Sequence, residues 1–366
     1  MGRKIALVAD KLVDLSGQEK VFKVICDAFP DADIVTSIYI PQSTLPEFSS
    51  RNIYQLVPQR PFRDWKTVQR YYPLAAALMM RRSLRGYDTI VSSVAHLGRY
   101  IRKGSARHIS YTYYPFRLLY ESDKYPQVTG LSRQVMRAML PALRRWDRYQ
   151  AGTVDRFIAI SESSRAAIRR YYGRESDVIP SPILDLPREH EPARKSDYYL
   201  VVSRLEPWKQ LEVVIDAFST IRRNLVVIGE GPELESLRAR AHSSVKFVGR
   251  VSQSELADYY RAARALIHPT PTEYGLTPIE ANAYGTAAIC LGTGGVFETM
   301  IPYEAGAKNA TALFYETSRA EVLADAVLRF ERIEPEFDPH CCVENAGRFA
   351  PEVFVERLRA YVEQWG

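Results

Sequence analysis

Short runs of β-branched and aliphatic residues alternate along this chain with longer stretches in which apolar positions recur at helical spacing. In the N-terminal half, Ile5–Ala9, Ala32–Thr36, Ile53–Leu56, Thr89–Ser92, His108–Tyr111 and Arg156–Ile160 predict strands. Between them, Gln18–Ala28, Pro73–Ser83 and Ser132–Thr153 predict helices. The C-terminal half repeats the pattern, with strands expected over Tyr198–Val202, Asn224–Ile228, Val245–Val248, Ala265–Ile267 and Ala287–Cys290. They alternate with helices expected over Trp208–Phe218, Glu233–Ala241, Gln253–Ala262 and Pro278–Tyr284. Short buried strands alternating with helices make parallel, doubly wound α/β sheets, and each half holds enough strands for its own sheet. Ligands of such sheets bind beyond the carboxyl ends of the strands. The last stretch, Pro351–Gln364, carries Phe354, Leu358 and Tyr361 at helical spacing. It reads either as a helix packed on its own domain or as one that crosses back to the first.

Length and charge sharpen the division. A chain of 366 residues exceeds what one core usually serves. Residues 1–185 carry 29 Lys and Arg against 17 Asp and Glu, whereas residues 186–366 carry 20 against 26. The seam falls in Leu186–Lys195, a stretch rich in Pro and charge that reads as a linker. No apolar run approaches the ~18 residues of a membrane-crossing helix. Ile5–Ala9 is too short for a signal-peptide core and reads as a first strand. Cys26, Cys290, Cys341 and Cys342 lack metal-ligand spacing and make a poor disulfide framework, which points to a reducing cytoplasm. A Walker loop, a His-Glu-x-x-His motif and a nucleophile elbow are all absent from the sequence.

Candidate chemistry concentrates between Val201 and Glu298. Arg204 and Lys209 fall in a strand-to-helix turn, where two cations can flank a diphosphate, or simply be solvated. Gly229 and Gly231 with Pro232 read as an ordinary Gly-rich turn, without the third Gly of a dinucleotide fingerprint. Gly275 lets backbone approach a ligand, and Thr277 with Pro278 marks a helix start whose N–H groups suit a phosphate. Glu280, expected in the first turn of that helix, can accept hydrogen bonds from a ribose diol or be a carboxylate favoured by the dipole. Gly292–Glu298 adds a flexible loop and a further carboxylate.

The order and spacing of Arg204, Lys209, Gly229–Pro232, Phe247–Gly249, Gly275–Glu280, Gly285, Gly294, Gly295 and Glu298 resemble the retaining glycosyltransferases of family 4. The N-terminal half extends the likeness through Ser16–Lys20, Arg85–Asp88, Ser92–Ser93, His108–Tyr111, Arg144–Asp147 and Val154–Ala159, which look like the bacterial polysaccharide mannosyltransferase branch. The resemblance implies the GT-B fold, two facing Rossmann-like domains with a nucleotide-sugar in the cleft. Residues 1–185 would form an acceptor domain, joined by a returning helix at 351–366, and residues 186–350 the nucleotide-sugar domain. Arg204 and Lys209 would bind the donor diphosphate, and Glu280 the ribose. The backbone of Gly275, Leu276 and Thr277 would hold phosphate, Val248 would line the base pocket, and Gly17 and Gln18 would belong to the loop that closes over the donor. The resemblance implies no metal and no cofactor beyond the nucleotide-sugar, GDP-mannose-like by branch. The acceptor would be a glycan, a lipid-linked molecule or a small molecule.

The sequence departs from the family where the transferred sugar would lie. The family's first carboxylate falls on Thr272, and Glu273 stands one residue too close to Glu280. The cleft His falls on Tyr113, and the second Gly of the N-terminal loop falls on Gln18. Tyr113, Thr272 and Glu273 are therefore the candidate catalytic positions. The departures keep two further readings open, a catalytically altered nucleotide-sugar-binding protein and a GT-B nucleotide-sugar epimerase. The basic first half adds Ser132–Tyr149, with five Arg interleaved with apolar residues and interrupted by Pro141, and Pro73–Arg85. These read as core-facing surface helices, or as a face for an anionic membrane at the inner leaflet. Without a recognisable nucleic-acid module, nucleic acid ranks below both.

Overall fold

β1 (Ile5–Ala9) has its last four residues buried and lies between two parallel neighbours. Those neighbours are β2 (Asp33–Thr36) and β4 (Thr89–Val94), and the sheet extends through β3 (Ile53–Gln55), β5 (Arg107–Thr112), β6 (Arg156–Ala159) and β7 (Ser176–Val178). Its order is β3-β2-β1-β4-β5-β6-β7, with every pairing parallel. The second sheet comprises β8 (Tyr199–Val202), β9 (Leu225–Ile228), β10 (Val245–Gly249), β11 (Leu266–His268), β12 (Ala288–Leu291) and β13 (Ala312–Tyr315). Its order, β10-β9-β8-β11-β12-β13, is again wholly parallel. The strand order reverses between β1 and β4 in one sheet and between β8 and β11 in the other. At such switch points the loops from neighbouring strands diverge and leave a crevice for ligands.

This computed structural model describes residues 3–58, 72–81, 83–122, 130–184, 186–187, 195–271 and 274–366. The chain divides into one unit of Met1–Leu184 with Pro351–Gly366 and another of Asp185–Ala350. Most of the linker stretch 186–195 lies outside the described residues. Among the described residues no helix is long and apolar enough to cross a membrane.

Elements read from the hydrophobic pattern form with ends shifted by one or two residues, with instructive exceptions. The helix expected over Trp208–Phe218 is instead a short 3-10 turn, Pro207–Lys209, followed by a helix at Leu211–Ile221. Gln210 breaks it by adopting φ 56°, a left-handed conformation that leaves Lys209 in a loop. Pro141 does not interrupt its helix, which runs through it from Gly130 to Gly152. The proline is exposed, so water can satisfy the carbonyl that loses its helical partner. The pattern reading does not include β7, β13 or the helices Glu162–Tyr172, Ala320–Ile333 and Pro339–Gly347.

The C-terminal helix, Pro351–Trp365, packs on the first unit. Phe354, Leu358 and Val362 are buried there, whereas Tyr361 is half-buried and donates its hydroxyl to Asp177 at 2.7 Å. Arg359 reaches the end of the first helix, Gly17–Ala28, donating to the Ala28 carbonyl at 2.7 Å and the Asp27 carbonyl at 3.2 Å. These carbonyls have no partner within their own helix, so the guanidinium serves as a C-terminal cap. Leu358 is 0% exposed. Leu358→Ala is therefore expected to lower stability by about 2–5 kcal/mol, read by denaturant unfolding of the full chain.

Candidate functional site

In the second unit, the loop after β8 is set by backbone contact. Leu205, fully buried, anchors Ser203–Lys209 in the core, and its N–H donates to the Glu230 carbonyl at 2.9 Å. Two glycines of the loop after β9 meet this backbone so closely that neither could carry a side chain. A Cβ on Gly229 would lie 1.8 Å from the Ser203 carbonyl oxygen, and one on Gly231 would lie 2.3 Å from that of Leu205. The glycines thus serve a close approach between loops, and Gly229 also adopts φ 139°. At the other end of the loop, the Thr270 hydroxyl donates to the Lys209 carbonyl at 3.1 Å, tying β8's loop to the loop after β11 across the switch point.

Arg204 is exposed and Lys209 half-buried on this scaffold. Both lie by the exposed indole of Trp208, Lys209 Nζ 4.2 Å and the Arg204 guanidinium carbon 5.9 Å from its ring centroid. Burial and the nearby Lys209 charge hold His268, the last residue of β11, down to about 3, so it stays neutral beside the cation.

The helix after β11 spans Leu276–Ala283 and begins two residues earlier than Pro278. Gly275, at φ 85° and ψ 65°, is its N-cap and has no side chain of its own to cap this end. Leu276 and Thr277 are accordingly its first two residues, and Glu280 lies one residue beyond the first turn. That corrects the expected first-turn carboxylate: the left-handed glycine starts the helix sooner than proline does. Glu280 is half-buried, and the buried Tyr260 hydroxyl donates to it at 3.0 Å. Burial, then the Glu280 charge, drives that phenol well above its usual range, so Tyr260 is a lasting donor that orients the carboxylate. Val248 is half-buried where the β10–β9 register slips, and the Gly249 carbonyl beside it accepts the Gly229 N–H at 2.8 Å. Thr272 and Glu273 lie outside the described residues.

The first unit gathers its own cluster at the β1–β4 switch point. Asp10, directly after β1, is buried and accepts the N–H groups of Ala95 at 2.6 Å, His96 at 2.8 Å and Gly98 at 2.7 Å. Buried Arg99 takes the Ala95 carbonyl at 3.1 Å, so the loop after β4 is held by both its donors and its acceptors. Gly17 opens the first helix and Gln18 follows, both half-buried. Tyr113, just past β5, shares a hydroxyl hydrogen bond of 2.9 Å with Ser93 and donates to the Gln18 carbonyl at 3.2 Å. Two of the positions that depart from the family pattern therefore touch one another. Burial pushes the Tyr113 phenol far above its usual range, so at neutral pH it carries no charge.

Glu19 and Asp10 escaped the sequence reading, although an acidic residue directly after the first strand was a signal. Glu19 is buried and accepts the N–H groups of Val13 at 2.8 Å and Asp14 at 3.0 Å, together with the Thr44 hydroxyl. It shapes the loop that leads into Gly17. Among the described residues no group of three His, Cys, Asp or Glu is placed to hold a metal ion.

HepE of Anabaena, solved with UDP and glucose, superposes with a TM-score of 0.72 at 16% identity, covering 99% of this chain and 100% of that one. Sucrose-phosphate synthase from Thermosynechococcus elongatus gives 0.70 at 19% identity, covering 99% of each chain. The two parallel-sheet domains are those of the GT-B fold. A model described as Glycosyltransferase Family 4 matches residues 15–183, and one described as Glycosyl transferases group 1 matches residues 183–347. The chain belongs to the family 4 glycosyltransferases. Among curated relatives, the alpha-monoglucosyldiacylglycerol synthase of Streptococcus pneumoniae is 31% identical over 176 residues, 44% of this chain and 37% of that protein. The GDP-mannose-dependent alpha-(1-6)-phosphatidylinositol monomannoside mannosyltransferase of Mycobacterium tuberculosis is 32% identical over 144 residues, 34% of this chain and 36% of that one. In both cases the match spans less than half of the relative's length.

Burial, and then the neighbouring Asp14, pushes the Glu19 carboxyl up to about 8 from an ordinary 4.5. The folded chain then keeps a proton that the unfolded chain releases, so this group's contribution to stability falls as pH rises from about 4.5 to about 8. Glu19→Gln is expected to flatten that decline, measured by denaturant unfolding at pH values across the interval.

Proposed function

We propose that the chain is a retaining glycosyltransferase that moves a sugar from a nucleotide-sugar, GDP-mannose-like, to a hydroxyl of a glycan, lipid-linked or small-molecule acceptor. The observation that carries this reading is the grouping of Arg204, Lys209, the helix start with glycine at its N-cap, Gly275–Thr277, and Glu280 along the loops and helix that follow β8 and β11. In this reading the two cations hold the diphosphate, the helix start adds N–H donors, and Glu280, steadied by Tyr260, accepts the ribose hydroxyls. The acceptor oxygen forms its bond to the anomeric carbon on the face that the nucleotide leaves. The bond from that carbon to the phosphate oxygen breaks, and the departing phosphate takes the acceptor's proton. Arg204 and Lys209 stabilise the charge that develops on the leaving diphosphate, so the scheme calls for no metal. Val248 would border the base, Gly17 and Gln18 would belong to the loop that closes over the donor, and Tyr113, Thr272 and Glu273 keep their place as candidate catalytic positions.

A second reading, a nucleotide-sugar-binding protein with altered or lost chemistry, draws on the neutral Tyr113 phenol bound to Ser93 and Gln18. Arg204→Ala, Lys209→Ala and Glu280→Ala are each expected to weaken GDP or UDP binding at least tenfold, as a charged hydrogen bond of this kind is worth about 1.5–3 kcal/mol. Calorimetry checks it, and unchanged affinity in all three variants would sink both readings. Nucleotide release from a panel of GDP-, UDP- and dTDP-sugars with acceptors separates them, since tight binding without turnover favours the second.

The names of these two curated relatives refer to a lipid product or acceptor, so a lipid-linked molecule stands among the acceptors proposed for this chain. The first unit's long helix, Gly130–Gly152, buries Leu140 and packs Trp146 on Tyr100, so these two residues face the core. Its outer face exposes Arg137, Arg145 and Arg148 beside Met139 and Tyr149, the last 72% exposed. Sedimentation with anionic vesicles is expected to fall as salt rises and to fall further in Arg145→Ala/Arg148→Ala. Binding that salt leaves unchanged, or none at all, would remove the membrane from the proposal.

A further inference from the structure

Trp208 stands between the two cations of the loop after β8. It is 43% exposed in a short 3-10 turn with no buried residue, and leaving so large an apolar ring in water is unfavourable. Its backbone is nonetheless fixed on both sides. Buried Leu205, hemmed in by Gly229 and Gly231, holds the start of the loop. The left-handed Gln210 and the bond from Thr270 to the Lys209 carbonyl hold its end. What the ring does touch is charge: Lys209 Nζ lies 4.2 Å and the Arg204 guanidinium carbon 5.9 Å from its centroid.

Two like charges in so short a loop repel one another, and each sits on a long flexible stem. An aromatic face offsets both difficulties, since its π-electrons attract each cation and narrow the range of positions it samples. We propose that Trp208 is a positioning residue for the diphosphate cations, holding Arg204 and Lys209 together on its indole before the donor arrives. The proposal rests on the donor reading above and assigns it a residue outside the charged set. The diphosphate then meets cations already gathered, and less ordering is left to be done on binding.

The test compares GDP and UDP affinity, by calorimetry on the full chain, for the unaltered protein, Trp208→Leu, Trp208→Phe, Lys209→Ala and Trp208→Leu/Lys209→Ala. Loss of the ring in Trp208→Leu is expected to weaken binding about two- to fivefold, and Trp208→Phe, which keeps an aromatic face, to recover most of it. Because the ring acts through the cations, its loss is expected to cost clearly less once Lys209 is gone. The intrinsic tryptophan emission of the unaltered protein should change on nucleotide binding, and that change should disappear in Trp208→Phe. Equal affinity in Trp208→Leu overturns the proposal while leaving the donor reading intact. So does a loss in the double variant as large as in the single one, which would mean that the ring contacts the nucleotide directly. Failure of the unaltered protein to bind either nucleotide overturns the donor reading, and this proposal with it.

Discussion

The candidate donor site depends on one steric constraint, the contact of Gly229 and Gly231 with the backbone of Ser203–Leu205. A methyl group at Gly229 would sit 1.8 Å from the Ser203 carbonyl oxygen, far inside any tolerable contact. Without that approach the loop after β8 could not lie against the loop after β9. Leu205 would lose its bond to Glu230, and the turn that carries Arg204, Trp208 and Lys209 would have no fixed start. The Gly249 carbonyl accepting the Gly229 N–H extends the same constraint to the end of β10, where Val248 sits. Loops from three neighbouring strands are thus locked together by backbone before any side chain contributes.

The first unit reaches a comparable end by other means. At its switch point a side chain does the tying: Asp10 takes three N–H groups of the loop after β4, and Arg99 takes carbonyls of the same loop. Buried polar side chains are tolerable when they are hydrogen-bonded, and here backbone groups meet that condition. Glu19 repeats the device one loop away, gathering Val13, Asp14 and Thr44 around a buried carboxyl. The helix start that carries Gly17 and Gln18 is consequently held from the strand side by Glu19 and from the far end by Arg359.

The doubly wound architecture was legible because buried parallel strands need continuous apolar runs, and β1, β8, β9 and β12 supply them. β7, Ser-Asp-Val at a sheet edge with no residue buried, has no such run and left no pattern to read. The helix Ala320–Ile333 does carry a pattern, with Leu323, Val327 and Phe330 buried at helical spacing. Among the site positions, the chemical types of Arg204, Lys209 and Glu280 were visible, but their settings were not. Glu280's partner Tyr260 lies 20 residues away in sequence, and the break at Gln210 depends on a left-handed conformation that glutamine seldom adopts. The glycines at 229 and 231 read as an ordinary turn in sequence because the backbone they admit, that of Ser203 and Leu205, belongs to another loop.

The charge split between the halves changes meaning once partners are assigned. Much of the first unit's excess of arginine is directed at backbone carbonyls rather than at carboxylates. Arg51 reaches the carbonyls of Cys26, Phe29 and Ala32. Arg174 reaches those of Ala151 and Val154, and Arg144 that of Leu119. A carbonyl accepts without contributing a formal charge, so these caps add to net charge without implying an anionic partner. In the second unit the same residue type is paired with acid, as in the two hydrogen bonds that Arg223 donates to Glu331 and the two that Arg264 donates to Glu334. The sign of each half therefore records how its arginines are satisfied. A ligand's charge has to be inferred from cations held at a strand end, which is what separates Arg204 and Lys209 from the rest of the count.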